Sequence, residues 1–327
     1  MKNHPTRRAL RGQSRDSEYP LMDFLKRREC AISHRLTRAA ILAIVLMMLG
    51  VSAVQGSGQT AKPQRVYMVT DMEGVDGIFD LALQCEPWKS PRWEESRKLL
   101  TGEVNAAVKG LFEGGATDVV VVDGHDGGRT LSVLDIDPRA RLLQGRPFSP
   151  TAELDTSYSA LIFIGQHAMA GAEKGVLTHT ESWDGIQNVW VNNRLTGEIG
   201  LIAMLAGSFG IPTIMLSGDT AACQELYGLV PGAECAEVKT GVSRTAALML
   251  SHPAACALIS EKARRAMERV PQIKPYRLAG PVEIKVEFTP PGTKLLPPRE
   301  GVERLNDRTW VFRGKDVVDA CVWLTSF

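Results

Sequence analysis

Short apolar runs alternate with longer amphipathic stretches from about residue 65 onward. Four runs contain almost no polar residue: 66–70 (VYMVT), 119–122 (VVVV), 161–164 (LIFI) and 213–216 (TIML). Continuous apolar runs of this length are typical of strands that are buried on both faces. Between the first two, residues 94–113 place apolar side chains at helical spacing and end at Gly114-Gly115, which predicts a helix. Alternating strands and helices predict a three-layer α/β/α fold with a mainly parallel sheet.

The pattern changes toward the C-terminus. Residues 282–288 (VEIKVEF) alternate apolar and polar positions, as a half-exposed strand does, and 310–312 (WVF) can pair with them. We therefore expect an α/β catalytic domain over 65–250 and a smaller α+β portion over 251–327. The smaller portion is a candidate for oligomerisation.

Three local signals refine the middle of the chain. Asn192-Asn193-Arg194 lies between two short apolar segments and predicts a hairpin turn. Residues 198–207 predict a helix that begins at Glu198. Residues 246–267 predict a largely helical stretch, interrupted at Pro253.

The N-terminus has a different character. Residues 1–38 are rich in Lys and Arg, 39–54 are apolar, and 55–64 are small and polar. A basic flank, an apolar stretch and a small-residue exit are typical of a secretory signal. We expect 1–54 to be a signal or targeting segment, or an uncleaved membrane anchor, and 55–64 to be a linker. The protein is then exported to the periplasm or secreted, and the anchor is its only contact with a membrane.

Composition excludes several classes of protein. The chain has 327 residues, 44% of them hydrophobic, with a formal net charge of +1. Neither this charge nor any aromatic-basic stripe indicates a nucleic-acid partner. The six cysteines show no CxxC spacing, so they do not predict a thiolate metal site. The chain also lacks GxxxxGK[ST], HExxH and GxSxG.

Acidic and histidine side chains follow the apolar strands. Asp71 and Glu73 come directly after the first run, His125 follows the second, and His167 follows the third. The carboxyl ends of parallel strands share one edge of a sheet, where ligands bind. The sequence therefore predicts that these four residues converge. Glu198, at the start of its helix, fits either a ligand or an acid favoured by the helix dipole.

Such a group suits a metal ion. Asp71 and Glu73, two residues apart on an extended segment, point to the same side and repel each other unless a cation lies between them. Carboxylates and imidazoles without cysteine favour zinc, manganese, cobalt or iron. Five candidate ligands exceed one closed zinc site and fit two ions about 3.5–4 Å apart that share a carboxylate. His179 is either a proton donor beside the metals or a surface histidine.

Five ordered motifs carry a resemblance to a known family: TDMEG (70–74), VVDGHDG (121–127), IGQHA (164–168), GVLTHT (175–180) and VNNRLTGEIGL (191–201). Over about 65–327 the chain resembles the DppA-like zinc D-aminopeptidases. The resemblance implies two zinc ions held by Asp71, Glu73, His125, His167 and Glu198. It also implies Asp71 as their bridge and His179 as the catalytic histidine.

The same resemblance implies a function and an assembly. The expected reaction is hydrolysis of N-terminal D-amino acids from short peptides such as D-alanyl dipeptides. The expected assembly is a homo-oligomer, a decamer of two stacked pentamers, and the family's usual location is the cytoplasm. The residues by themselves leave other reactions open: another metal-dependent amidase, a phosphoester hydrolase, or an exported protein that binds a peptide or metal without turnover.

Overall fold

The computed structural model describes residues 64–146, 151–292 and 299–321. The expected targeting segment, 1–54, and residues 55–63 of the expected linker lie outside the described residues. Within the described ranges, no helix combines the length and apolar character that crossing a membrane requires.

Strands and helices alternate along the described chain. The strands are β1 (Arg65–Thr70), β2 (Asp118–Asp123), β3 (Ala140–Leu143), β4 (Ala160–Gln166), β5 (Ile186–Val191), β6 (Arg194–Leu195), β7 (Thr213–Asp219), β8 (Glu234–Ser243), β9 (Ala246–Met249), β10 (Val282–Phe288), β11 (Val302–Arg304) and β12 (Thr309–Gly314). The α-helices are α1 (Leu81–Gln84), α2 (Trp93–Glu113), α3 (Glu198–Ser208), α4 (Thr220–Leu229), α5 (His252–Arg269) and α6 (Val317–Ala320).

The first sheet has seven strands in the order β3-β2-β1-β4-β7-β8-β9. Every neighbouring pair is parallel except β8 and β9, which are antiparallel. Helices α2 and α5 pack against each other, and so do α3 and α4, and both pairs contact the sheet. Strands β4 and β7 are buried at every position, as strands covered on both faces must be. The predicted α/β fold with a mainly parallel sheet is confirmed.

The second sheet has five antiparallel strands in the order β11-β12-β10-β5-β6. Strand β10 pairs with β12, so the predicted pairing of 282–288 with 310–312 is confirmed. The Asn192-Asn193 turn joins β5 to β6, with both residues in the left-handed region that such a hairpin requires. Helix α3 lies between the sheets, because Ile199 belongs to the core of the first and Leu201 to that of the second.

The two sheets do not divide the chain at residue 250. The second sheet takes β5 and β6 from before this point, and α5, which follows it, packs on α2 beside the first sheet. The prediction of a helix from residue 246 is wrong at its start, because Ala246–Met249 turns back and pairs with β8. Helix α5 begins at His252, and Pro253 lies in its first turn, where no backbone N–H is needed.

Candidate metal centre

The six residues singled out from the sequence meet at the carboxyl edge of the first sheet. Asp71 and Glu73 lie in the loop after β1, His125 in a short 3-10 turn after β2, and His167 directly after β4. Glu198 is the first residue of α3, which follows the β5–β6 hairpin. His179 lies in the long connection between β4 and β5. The structure therefore brings together residues that are up to 127 positions apart, as 71 and 198 are.

Close backbone packing sets the spacing between two of these segments. The N–H of Gly74 donates to the carbonyl of Gly165 at 2.7 Å. A Cβ atom added at Gly74 would lie 2.2 Å from the carbonyl oxygen of Gln166. Only glycine lets the loop with Asp71 and Glu73 approach the end of β4 this closely.

His125 is held by its outer nitrogen. Its Nε2–H donates to the carbonyl of Cys85 at 2.8 Å, because a carbonyl can only accept. The inner nitrogen, Nδ1, lies 3.1 Å from Asp71 Oδ1 and 3.2 Å from Glu73 Oε2. Metal-binding histidines are fixed in this way, with the second nitrogen bonded to a backbone carbonyl and the first aimed at the ion.

His167 repeats the arrangement with its nitrogens reversed. Its Nδ1–H donates to the carbonyl of Ala168 at 2.9 Å. Its Nε2 lies 3.2 Å from Asp71 Oδ2 and 3.4 Å from Glu198 Oε1. Asp71 therefore presents one carboxylate oxygen to each imidazole, and each imidazole also faces one glutamate.

Burial and charge oppose each other in this cluster. Burial alone would raise the pKa of Asp71 and Glu198, but the neighbouring histidines lower both, that of Glu198 to about 2. Burial alone would lower the pKa of the two histidines. The charge of Glu73 beside His125, and that of Glu198 beside His167, raise it well above the usual value. The carboxylates of Asp71 and Glu198 therefore stay ionised, which a cation-binding site requires.

The cluster leaves polar atoms that a metal ion would satisfy. Among the described residues, Glu73 Oε2 and His167 Nε2 are buried without a hydrogen-bond partner. Ligand atoms of Asp71, Glu73 and His167 lie within 4.8 Å of one another. Unpaired buried polar atoms are costly, and oxygen and imidazole donors suit a borderline cation such as zinc. The residues present therefore fit a zinc centre.

His179 lies against this cluster in a different way. Its ring stacks on that of His167, with centroids 3.9 Å apart and planes 19° apart. Its Nδ1–H donates to the carbonyl of Leu177 at 2.9 Å, and its Nε2 lies 3.9 Å from Glu198 Oε1. His179, His167 and Glu198 also form a group with the spacing of metal ligands. The Nε2 of His179 is thus farther from Glu198 Oε1 than that of His167, which lies 3.4 Å away.

Gln166 is a site residue that the sequence reasoning missed. Its amide Nε2 donates to Asp71 Oδ2 and to Glu198 Oε2, at 3.1 Å in each case. It thereby fixes two carboxylates relative to each other. The available signal was its position directly before His167 at the end of a buried strand, where the other site residues also lie.

A cavity of about 200 Å³ opens beside Asp71 and Glu198. The rest of its wall combines apolar side chains with a few polar ones: Tyr67, Val69, Val122, Gly124, Leu154, Ile202, Leu205, Thr70, Arg146, Gln166 and Glu181. A small organic group could therefore lie against the carboxylates while its apolar part is covered.

The arrangement as a whole is that of a metal-dependent hydrolase. Buried carboxylates and imidazoles lie at the edge of a parallel sheet, a further histidine stacks on one of the imidazoles, and a cavity opens beside two of the carboxylates. Comparison with known proteins agrees. The D-aminopeptidase family of M55 peptidases matches residues 64–326, and the chain belongs to this family of metallopeptidases.

Two relatives show how far the likeness extends. A D-aminopeptidase of Bacillus subtilis (strain 168) is 32% identical over 263 residues, which cover 78% of this chain and 93% of that protein. A solved structure, described as Zn-dependent D-aminopeptidase DppA from Bacillus subtilis, a self-compartmentalizing protease, superposes with a TM-score of 0.73 at 30% identity. The match covers 80% of this chain and 97% of that one. The resemblance seen in the motifs is confirmed.

Proposed function

We propose that this protein removes N-terminal D-amino acids from short peptides, using two zinc ions held by Asp71, Glu73, His125, His167 and Glu198. One observation carries the proposal: the Asp71 carboxylate lies between two imidazoles and presents one oxygen to each. A single ion would leave half of this arrangement without a role. Two ions that share a carboxylate use all five ligands.

The ligands divide into two groups around Asp71. Glu73 and His125 lie on its Oδ1 side, and His167 and Glu198 lie on its Oδ2 side. Bound zinc would polarise the scissile carbonyl and lower the pKa of an attacking water. Manganese and cobalt favour the same donors, so the metal identity is part of the test.

His179 supplies the proton transfer. Its Nδ1–H is committed to the Leu177 carbonyl, which leaves Nε2 as the atom that exchanges protons on the side of the centre. The carboxylate oxygen Oε1 of Glu198 lies 3.9 Å from this nitrogen. At Nε2, His179 takes up the proton that the attacking water releases and donates it to the leaving amine as the peptide C–N bond breaks.

The stereochemistry and size of the substrate rest on different observations. The relatives' names specify D-amino acids. The cavity beside Asp71 and Glu198, at about 200 Å³, has room for a small peptide and does not select one side chain. D-alanyl dipeptides are therefore the first substrates to test.

The test measures hydrolysis of D-Ala-D-Ala and L-Ala-L-Ala by the full-length chain, with zinc, manganese or cobalt and with a chelator. Glu198→Gln is compared with Glu94→Gln, because both glutamates lie in the first turn of a helix but only Glu198 is in the centre. We expect metal-dependent cleavage of the D-peptide alone. Glu198→Gln should lose more than about 100-fold of the activity and one zinc, whereas Glu94→Gln should retain both.

Other outcomes would redirect the proposal. Two bound zinc ions without cleavage of either peptide would keep the centre and point to another amide or a phosphoester. Binding of peptide without product would indicate a binding protein. Equal activity of Glu198→Gln and Glu94→Gln would remove Glu198 from the ligand set and reduce it to an ordinary first-turn acid.

We also propose that the chain assembles into a homo-oligomer, a decamer by family expectation, and that its N-terminal segment exports or anchors it. Support for assembly comes from the self-compartmentalizing relative and from apolar side chains that are exposed here, among them Leu134 and Leu248. Light scattering of the purified protein tests the assembly. Fractionation of cells that express the full chain tests the location, and a cytoplasmic monomer would contradict both proposals.

A further inference from the structure

A lysine is buried beneath the loop that carries Asp71 and Glu73. Lys239, on β8, is 2% exposed. Its Nζ donates to three backbone carbonyls, those of Glu73 at 2.5 Å, Val75 at 2.8 Å and Ile78 at 2.7 Å. An ammonium group has three donors, so all of them are used on this one loop.

The position of the lysine is not explained by an ion pair. Among the described residues, no carboxylate forms a direct ion pair with Lys239, although such pairing is the usual way to bury an ammonium group. The negative charges of Asp219, Glu103 and Glu73 act on it from a greater distance. The charge is instead surrounded by carbonyl oxygens, as a small cation would be. The chain between Glu73 and Ile78 is therefore folded around the ammonium group.

A buried carboxylate holds the same loop by accepting a hydrogen bond from it, whereas Lys239 donates hydrogen bonds to it. Glu103, on α2, accepts from the backbone N–H of Asp76 at 2.9 Å and from the hydroxyl of Ser217 at 3.3 Å. The loop after β1 is thus fixed by contacts from β8, α2 and the end of β4. Its backbone has little freedom to move relative to the sheet.

This matters for Glu73 because its side chain has little other support. Glu73 Oε2 has no hydrogen-bond partner among the described residues, and its near neighbour is His125 Nδ1 at 3.2 Å. The orientation of this carboxylate therefore depends on its backbone, and one of the three carbonyls that Lys239 binds is that of Glu73 itself.

We propose that Lys239 is a positioning residue that holds Glu73 in place as a ligand and so sets the zinc affinity of the position formed by Glu73 and His125. The inference rests on the proposed two-zinc centre. If Lys239 positions Glu73, loss of the lysine weakens zinc binding, whereas simple electrostatics predicts the opposite. A nearby positive charge repels zinc, so if charge dominated, a neutral residue at 239 would tighten zinc binding.

The experiment compares Lys239→Met, which removes the charge and all three donors, with Lys239→Gln, which removes the charge but keeps two donors. Lys262→Met is the matched control, because Lys262 also holds β8, through Glu234 at 2.9 Å, but lies outside the centre. Zinc is titrated into each chelator-treated, full-length protein by calorimetry or with a competing dye. Thermal unfolding of the same metal-free samples is measured in parallel.

We expect Lys239→Met to weaken one of the two zinc positions by about 10–100-fold and to leave the other unchanged, as loss of a residue that orients a ligand does. Lys239→Gln should lose less, and Lys262→Met should bind zinc as the wild type does. If Lys239→Met does not fold, the comparison of Lys239→Gln with the wild type decides. Unchanged binding, tighter binding, or equal weakening of both positions in the folded variants would overturn the proposal.

The result does not depend on which peptide is cleaved. If the wild type binds fewer than two zinc ions, the proposed centre itself fails. If the wild type binds two zinc ions but hydrolyses no D-peptide, the proposed reaction is wrong. The zinc titrations then still test the role of Lys239. A purely structural role would lower the unfolding temperature of Lys239→Met without changing zinc affinity in the folded protein.

Discussion

Gly74→Ala adds a single methyl group, and we expect this group to distort the proposed metal centre. The added Cβ would lie 2.2 Å from the carbonyl oxygen of Gln166, whereas ordinary contact begins at 3.4 Å. The loop and the end of β4 must therefore separate by roughly 1 Å, because the atoms in the way belong to the backbone of Gly165 and Gln166 and not to a flexible side chain. The loop carries Asp71 and Glu73, and His167 follows Gln166 directly.

A separation of that size exceeds what a zinc site tolerates. Zinc–ligand distances lie close to about 2.0–2.2 Å and vary by only ~0.2 Å. We expect a loss of about 1–3 kcal/mol in the free energy of unfolding, as overpacking of a filled site usually causes. Zinc affinity should fall by at least about 10-fold, since the ligands on the two segments no longer match one ion.

The assay is chemical denaturation of the metal-free protein together with zinc titration. Gly228→Ala is the control, because a Cβ added there would meet no heavy atom within 4 Å. It should unfold no more easily than the wild type, since alanine is the better helix former. Wild-type stability and wild-type zinc affinity in Gly74→Ala would refute the argument that this close approach sets the geometry of the centre.

Three further outcomes are expected. His179→Gln should lower kcat by about 10²–10⁴-fold while both zinc ions remain, which metal analysis and steady-state kinetics can show; loss of zinc would make His179 a ligand instead. Zinc binding should release protons at neutral pH, because neighbouring carboxylates raise the pKa of His125 and His167 well above the usual value, although burial opposes this. Each ion displaces those protons, so affinity should weaken as the pH falls, and calorimetry in two buffers with different ionisation enthalpies would detect no release if this reasoning is wrong. Asn193→Val should reduce the free energy of unfolding by about 1–2 kcal/mol, because residue 193 has a φ of 64° that a β-branched side chain resists; unchanged stability would contradict this.

Much of the first sheet could be predicted because its strands are buried on both faces. The runs that contain Val119 and Leu161 have no polar face, so their place in a covered sheet followed from composition alone. Because Asp71, His125 and His167 each follow a strand of this sheet, they could be expected to meet at its carboxyl edge before any contact was known. The role of Glu198 could not be predicted in this way, because a first-turn glutamate is equally explained by the helix dipole.

Other features depend on pairing between distant segments. Ala246–Met249 has good helical propensity, yet it forms a strand because β8 offers it an unpaired edge. Tertiary contacts of this kind override local preference. The carbonyls of Cys85 and Ala168, which orient the two histidines, could not be predicted either. Every residue has a backbone carbonyl, so the residue types do not show which carbonyls accept these hydrogen bonds.

The distribution of the ligands along the chain has a consequence for folding. Asp71 and Glu198 meet where β1 pairs in parallel with β4 and α3 packs between the two sheets, so their approach requires this tertiary structure. Parallel pairing joins segments that are distant in sequence and is correspondingly slow. An ion held by both residues would therefore find its complete site only in the folded chain. Its binding would stabilise the native state by mass action without directing how the chain folds.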